Sequence, residues 1–567
     1  MYALEIARKE ALTALKKAIG KRFVVTNDML EKPTKPEYGN IAFPCFALAK
    51  GMERNPAEIA TELAAKMGPT KFIRKMTAVG PYVNFTFDEE AFAASVLADV
   101  LKGKKRYGRL TTGKGKRVLV EFANLNTHKE VHIGHLRNCM LGTATTNIFT
   151  ANGYETTPVS YINDLGSNVA KCLWGLKHLH PNEEPAEGER LNFLGRVYTE
   201  ATRAIEEDPT KKDEVSEIQN QLESGEGEWV TLWKTTHKWS MDNLKAVFDE
   251  LGLTLDKIYL ENELIGETHE IVNKLLTDGI AKMSEGATIV DLEDEKLGAN
   301  LLRKSDGTLL YNAKDLALAY HKEADYHADR SIYVVDARQS LAMKQLAATL
   351  KRMGFPREIT HLGYEMVTLP EGAMSSRKGN IVRYSDLRDA MIAELLASTK
   401  LRHPDWSEKQ VKTTAKALAM AALKFVMLRH DPDKVLVFDM HEAMAAEGFT
   451  GPSVLYTIAR IYRLEEKADV KPDASGAALR HPREMELVKL LADYPDVIAL
   501  SGAHLRPSVV AQYAFELSAA FASYYAEVRI LDGEHEAVAA RLALGYAVRQ
   551  VLVNAMDILN ISIVKTM

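Results

Sequence analysis

The chain has no apolar run near the roughly 20 residues a membrane-spanning helix needs, so no membrane partner is expected. Cysteine is scarce. Cys45, Cys139 and Cys172 are scattered, odd in number and without C-x-x-C spacing. That excludes a disulfide framework and a cysteine-based metal site, and it fits a reducing cytoplasm. The N-terminal stretch MYALEIARKEALTALKKAIGKRF lacks the continuous apolar core of a secretory signal. Glu5 and Glu10 also sit poorly in an organelle-targeting peptide, so the stretch reads as an amphipathic surface helix. There is no short-period repeat. Nor is there a surplus of positive charge. Lys and Arg total 72 against 77 Asp and Glu, a net charge of −5. Any nucleic-acid contact must therefore rest on local clusters.

What is present is a long, ordinary globular composition: 567 residues, 46% hydrophobic and 26% charged, enough for about three to four domains. One basic, glycine-rich stretch holds Lys102, Lys104, Lys105, Arg106, Arg109, Lys114, Lys116 and Arg117. It reads either as a solvated linker or as a phosphate-contacting one.

Residues 1–110 read as a small α/β unit, with PYVNFTF as a strand after Gly80. In 111–400, KRVLVEFA reads as a buried strand, followed by the polar turn NLNTHKE and a helix opening near His132 and ended by Gly153. TPVSYIND is the next strand, and RSIYVVDA belongs to a second half of the same sheet. Strand, helix, strand in this order begins a doubly wound parallel sheet of the Rossmann-like α/β class. The charged stretch at about 180–295 reads as an insertion between the two halves. Residues 401–567 are helical throughout, an all-α bundle.

The most informative segment is EFANLNTHKEVHIGHLRN, Glu121 to Asn138. His132 and His135 share a face of the first helical turn. A helix N-terminus suits polyphosphate, and Gly134 allows close backbone approach. Two imidazoles there can donate to phosphate oxygens. A zinc site including His128 and a bare surface pair are the competing readings of the same residues.

His132-Ile133-Gly134-His135, placed after the first strand of a parallel sheet, resembles the HIGH motif of class I aminoacyl-tRNA synthetases. Its flanks closely resemble the arginine-specific members. The second expected motif is similar to the KMSKS loop: residues 373–379, with Met374, Ser375, Ser376, Arg377, Lys378 and Gly379. Mobile hydroxyls and cations suit capture of ATP. Both lysines of that pattern are missing here, replaced by Ala373 and Ser376. The resemblance points to Lys129, three residues before His132, as the substitute cation, with Lys378 second.

The resemblance also implies the amino acid. A planar guanidinium pairs best with a fixed carboxylate fork. The segment DGTLLYNAKDLALAY is similar to an arginine-specific pattern in which Tyr311 and Asp315 meet the guanidinium. Glu121, Asn126 and Gln339 match further pocket positions, and Asp164 and Gly166 match an element lining the site. The N-terminal unit resembles the family's additional domain that binds the tRNA corner, with Tyr82 and Asn84 on one strand face. The C-terminal bundle resembles the anticodon-binding domain, with Tyr456, Arg460 and the terminal Met567 as tRNA contacts.

The resemblance thus implies a cytoplasmic ligase, a monomer, that consumes ATP with Mg2+ bound through the phosphates. It would form arginyl-adenylate and transfer L-arginine to tRNA(Arg), activating arginine only with tRNA bound. Three rivals remain at this point: another class I specificity such as lysine, a catalytically dead paralogue, and a nucleotidylyltransferase. The Tyr311/Asp315 pattern speaks against the first. The intact His132, His135, Asn126 and Lys129 speak against the second, and the long helical C-terminus speaks against the third.

Overall fold

The computed structural model describes residues 1–20, 23–370, 372 and 382–567. The N-terminal unit begins with α1 (Ala3–Ile19) and continues through β1 (Ile41–Pro44), α2 (Phe46–Met52), α3 (Pro56–Lys66), β2 (Ile73–Val79), β3 (Tyr82–Phe87) and α4 (Glu89–Gly103). Its strands form an antiparallel sheet in the order β1-β3-β2. Val83, Phe85 and Phe87 on β3 are buried among the helices. Asp88 caps α4, its carboxylate accepting the Ala91 N–H at 3.0 Å.

The central unit carries β4 (Arg117–Glu121), α5 (Ile133–Ala151), β5 (Glu155–Ile162), α6 (Ser167–His178), α7 (Arg190–Glu207), α8 (Lys211–Ser224), α9 (Trp229–Leu251) and β6 (Lys257–Leu260). It continues with α10 (Ile265–Thr277), a small antiparallel sheet of β7 (Lys282–Ser284), β8 (Ala287–Asp291) and β9 (Ala299–Arg303), then α11 (Tyr311–Tyr326), β10 (Arg330–Asp336), α12 (Ser340–Arg352) and β11 (Glu358–Tyr364). The main sheet is parallel throughout, in the order β11-β10-β4-β5-β6. Val118, Leu119 and Val120 of β4 are all buried, as expected of a strand covered by helices on both faces. The strand order turns back between β4 and β10. That makes the carboxyl ends of β4 and β10 the switch point, the place where open α/β sheets bind ligands.

One expectation needs correction. The segment at about 180–295, expected as an insertion, holds β6, which pairs with β5 from Val159↔Lys257 to Ile162↔Leu260 and forms an edge of the main sheet. A four-residue strand flanked by Asp256 and Glu261 shows too little alternation to be distinguished from charged helical surroundings.

The chain then passes through β12 (Val367–Thr368), α13 (Tyr384–Arg402), α14 (Glu408–Leu428), β13 (Leu436–Val437) and α15 (Met440–Met444), and ends with α16 (Gly451–Lys467), α17 (Pro482–His504), α18 (Ser508–Glu527) and α19 (His535–Ile558). β12 pairs in parallel with β13, tying the segment after β11 to the helical part. At Gly451 a Cβ would meet the Ala421 carbonyl oxygen at 2.4 Å, so glycine lets α16 start directly against α14. The basic stretch is docked by its backbone and by Tyr107. Asn554 donates to the Lys104 carbonyl at 2.9 Å, and the buried Tyr107 hydroxyl donates to Leu491 O at 2.8 Å. Its Lys and Arg side chains stay exposed.

Candidate active site

The loop from β4 to α5 lies at this switch point. Asn138 on α5 accepts the Ala123 N–H at 2.6 Å and donates to Val334 O at 2.7 Å, tying the ends of β4 and β10 together. Around Asn126 the loop runs parallel to the end of β5. Thr127 N–H donates to Asn163 O and Asn163 N–H to Leu125 O, both at 3.1 Å. His128 takes up a left-handed backbone, φ 59°. Its buried ring lies 2.8 Å from Thr236 Oγ1 and 3.0 Å from Thr127 Oγ1, and its N–H donates to Ser240 Oγ at 3.1 Å. Burial, with His237 nearby, pushes the His128 pKa down to about 3. His128 is therefore a neutral core residue bonded to hydroxyls. Among the described residues no group of three or more His, Cys, Asp or Glu is placed to hold a metal ion.

His132 caps α5, and the two histidines form a reciprocal pair. Gly134 N–H donates to His132 Nδ1 at 3.1 Å, and His132 N–H donates to His135 Nδ1 at 3.2 Å. The rings stack with centroids 3.6 Å apart. Burial, and then Lys129, pushes the His132 pKa down to about 4; burial, His132 and Lys129 push His135 well below the ordinary imidazole value. Both rings are thus neutral near pH 7. Each Nδ1 accepts, so each proton sits on Nε2, leaving two Nε2–H donors at a helix N-terminus.

Lys129 lies beside this pair, with burial lowering its pKa. The neighbouring Glu130 turns to Arg383, whose Nε approaches its carboxylate at 2.8 Å. The 382–384 segment is laced onto the same turn: Ile133 N–H donates to Val382 O at 3.1 Å and Tyr384 N–H to Val131 O at 2.9 Å. Residues 373–379 therefore precede a segment anchored against α5. Met374, Ser375, Ser376, Arg377 and Lys378 themselves lie outside the described residues.

Asp315 and Tyr311 stand one turn apart on α11, with Tyr311 at its exposed start. Burial, with Glu121 and Glu261 reinforcing it and Lys322 and Lys314 opposing, raises the Asp315 pKa to about 7. Among the described residues its carboxyl has no hydrogen-bond or ion-pair partner. Gln339 is exposed, just beyond the end of β10. Glu121 departs from expectation. It is 3% exposed, paired with the buried Lys322, and accepts the Asn124 side-chain N–H at 2.8 Å. Its carboxylate is thus engaged inside the protein. Asp164 is likewise fully buried, accepting the Asn262 N–H at 3.0 Å with His237 Nε2 at 3.0 Å. Sequence reasoning missed Glu261, buried at the end of β6 and paired with Lys314. Its only signal was its place after a strand too short to recognise.

The outlying sites differ in kind. Tyr82 packs edge-on against Phe46 at 5.7 Å. Asn84, two residues on along the same strand, is 2% exposed and is not presented beside Tyr82. Among the described residues its side-chain NH2 has no partner. In the bundle, Tyr456, Arg460 and Met567 line one cavity of about 280 Å³ together with Tyr525 of α18, which the sequence did not indicate. The Arg460 guanidinium lies 4.8 Å from both the Tyr456 and the Tyr525 ring centroids.

A parallel sheet whose first helix is capped by paired histidines at the switch point is the arrangement expected of a class I aminoacyl-tRNA synthetase. Residues 96–440 match the family described as tRNA synthetases class I (R), catalytic domain; residues 454–567 match the DALR anticodon binding domain, and residues 7–87 the arginyl tRNA synthetase N terminal domain. An arginine–tRNA ligase of Bdellovibrio bacteriovorus is 37% identical, covering 97% of each chain, and one of Streptococcus pneumoniae is 35% identical over 94% of each. The arginyl-tRNA synthetase structure of Thermus thermophilus superposes with a TM-score of 0.82 at 25% identity, covering 99% of this chain and all of that one. The chain belongs to the arginyl-tRNA synthetase family.

Proposed function

We infer that this chain is an arginine–tRNA ligase working in two steps. An oxygen of the L-arginine carboxylate attacks the α-phosphorus of ATP in line, the bond to the bridging oxygen breaks, and pyrophosphate leaves. The terminal ribose hydroxyl of tRNA(Arg) then attacks the adenylate carbonyl and AMP leaves. The observation that carries this reading is the stacked His132/His135 pair at the switch point. Its two Nε2–H donors suit oxygens on which charge develops, where a preorganised donor is worth roughly 10²–10³ in rate. Neutral imidazoles donate there without becoming bases.

Lys129 is assigned to the charge released on pyrophosphate, with Lys378 second, and Met374, Ser375, Ser376 and Arg377 to the ATP-closing loop. Mg2+ bound through the ATP phosphates supplies further neutralisation, and no side chain is assigned to it. Asp315 and Tyr311 are assigned to the guanidinium, with Gln339 and Asn126 beside them. The half-buried Asp315 carboxyl, without a partner among the described residues, supports arginine over a neutral substrate. Glu121 is assigned a supporting role through Lys322. For tRNA, Tyr82 and Asn84 belong to the corner-binding unit, 1–110, and Tyr456, Arg460 and Met567 to the anticodon-binding unit, 401–567. Residues 111–400 hold the chemistry. A cytoplasmic monomer completes the reading.

ATP–pyrophosphate exchange tests it: arginine should support exchange once tRNA is present, and lysine should not. Exchange driven by lysine overturns the specificity, and exchange with neither amino acid overturns the activity.

A further inference from the structure

The Lys129 ammonium lies 5.2 Å from the centroid of the Tyr198 ring. Tyr198 stands on α7, within the helical segment 190–251 to which nothing above assigns a role. Three features make this contact a built seat. Among the described residues Lys129 makes no ion pair, and the carboxylate of the adjacent Glu130 is engaged by Arg383. The turn before Lys129 is fixed from α9, because His128 bonds to Thr236 and Ser240. Finally, α7 is held against the core through Phe193, Leu194 and Val197, all buried, and a Cβ at Gly195 would come within 2.9 Å of Glu130 Cδ. α7 and α9 therefore grip the residues before α5 from two sides.

We propose that Tyr198 is a positioning residue for adenylate formation, its ring holding the Lys129 ammonium beside the α5 N-terminus. An aromatic face attracts a cation without supplying a counter-charge or accepting its proton. The lysine is thereby oriented but left uncompensated until ATP phosphates arrive. A carboxylate in the same place would orient it and cancel its charge. The proposal rests on Lys129 being the cation for the leaving pyrophosphate.

The experiment is ATP–pyrophosphate exchange at saturating tRNA with arginine varied up to saturation, for Tyr198→Leu, Tyr198→Phe, Lys129→Ala and the Leu/Ala double variant. Tyr198→Leu should lower kcat about tenfold, consistent with a partly desolvated cation–π contact, with KM for arginine unmoved. Tyr198→Phe should stay within about twofold, since the ring is kept. Lys129→Ala should be much slower, and adding Tyr198→Leu to it should cost nothing more. If Lys129→Ala is impaired but Tyr198→Leu is not, or if the two losses multiply, the positioning role is wrong while the lysine assignment stands. If Lys129→Ala exchanges at the parent rate, the lysine assignment fails and the proposal with it. Tyr198→Met, closer in size, repeats the comparison should the leucine variant not fold.

Discussion

The imidazoles of His132 and His135 lie face to face with centroids 3.6 Å apart, each accepting a backbone N–H through Nδ1. Two protonated rings at that distance would repel, and burial already disfavours the charged form. With the His132 pKa pushed to about 4 and that of His135 lower still, the exchange rate at saturating substrates should show no histidine-like inflection between pH 6 and 7. His132→Ala or His135→Ala should each lower kcat by about 10²–10³. A pH–rate profile of the parent enzyme checks the first statement and steady-state kinetics of the variants the second.

Asp315 titrates the other way. Its pKa is raised to about 7 by burial and by Glu121, so it is largely neutral at pH 6 and ionised at pH 8. A guanidinium needs the carboxylate. KM for arginine should therefore rise as pH falls below 7, and arginine binding at pH 7 should release protons to the buffer. A folded-state pKa above the unfolded one favours folding at low pH, and this contribution is lost as pH rises from the usual carboxylate value through about 7. Asp315→Asn should thus be more stable than the parent at pH 8, while binding arginine about 10²-fold or more weakly. Calorimetric titration in buffers of different ionisation enthalpy, and thermal melts at pH 5 and pH 8, read both effects.

Glu121 and Lys322 form a buried pair, with side chains 4% and 2% exposed, and Lys322 also lies 3.8 Å from the Tyr333 ring centroid. Removing one partner leaves the other charge uncompensated, at a cost of about 3–5 kcal/mol. Glu121→Gln should therefore lower urea-unfolding stability by that order. Lys322→Met together with Glu121→Leu should recover much of it. Equal stability of Glu121→Gln and the parent would return Glu121 to the ligand.

Arg460 between Tyr456 and Tyr525 makes a cationic aromatic cavity suited to unstacked bases, where each stacked base contributes about 1–3 kcal/mol. Tyr525→Ala and Arg460→Ala should each raise KM for tRNA about 10- to 100-fold, with KM for ATP unchanged. Aminoacylation kinetics at varied tRNA concentration separate the two.

The first half of the site was legible because its signals are local. A strand end, a glycine and two histidines at helical spacing predict where α5 starts, and the structure begins it at Ile133. Tyr311 and Asp315 came from the resemblance to an arginine-specific pattern, and the structure places them one turn apart on α11. What sequence could not supply was the partner of a charge. Glu121 is engaged by a lysine 201 positions away, and Asn84 is buried while Tyr82 on the same strand is not. β6 was lost because four residues carry too little periodicity, and Glu261 was lost with it. Tyr198 had no legible role because its contact to Lys129 exists only once α7 folds back on the turn before α5.

The most direct test of the account is tRNA-dependent ATP–pyrophosphate exchange with arginine, run on the parent enzyme and on Lys129→Ala. The account predicts arginine-specific exchange that appears with tRNA and is largely lost in the variant. Exchange with another amino acid, or full activity without Lys129, would contradict it.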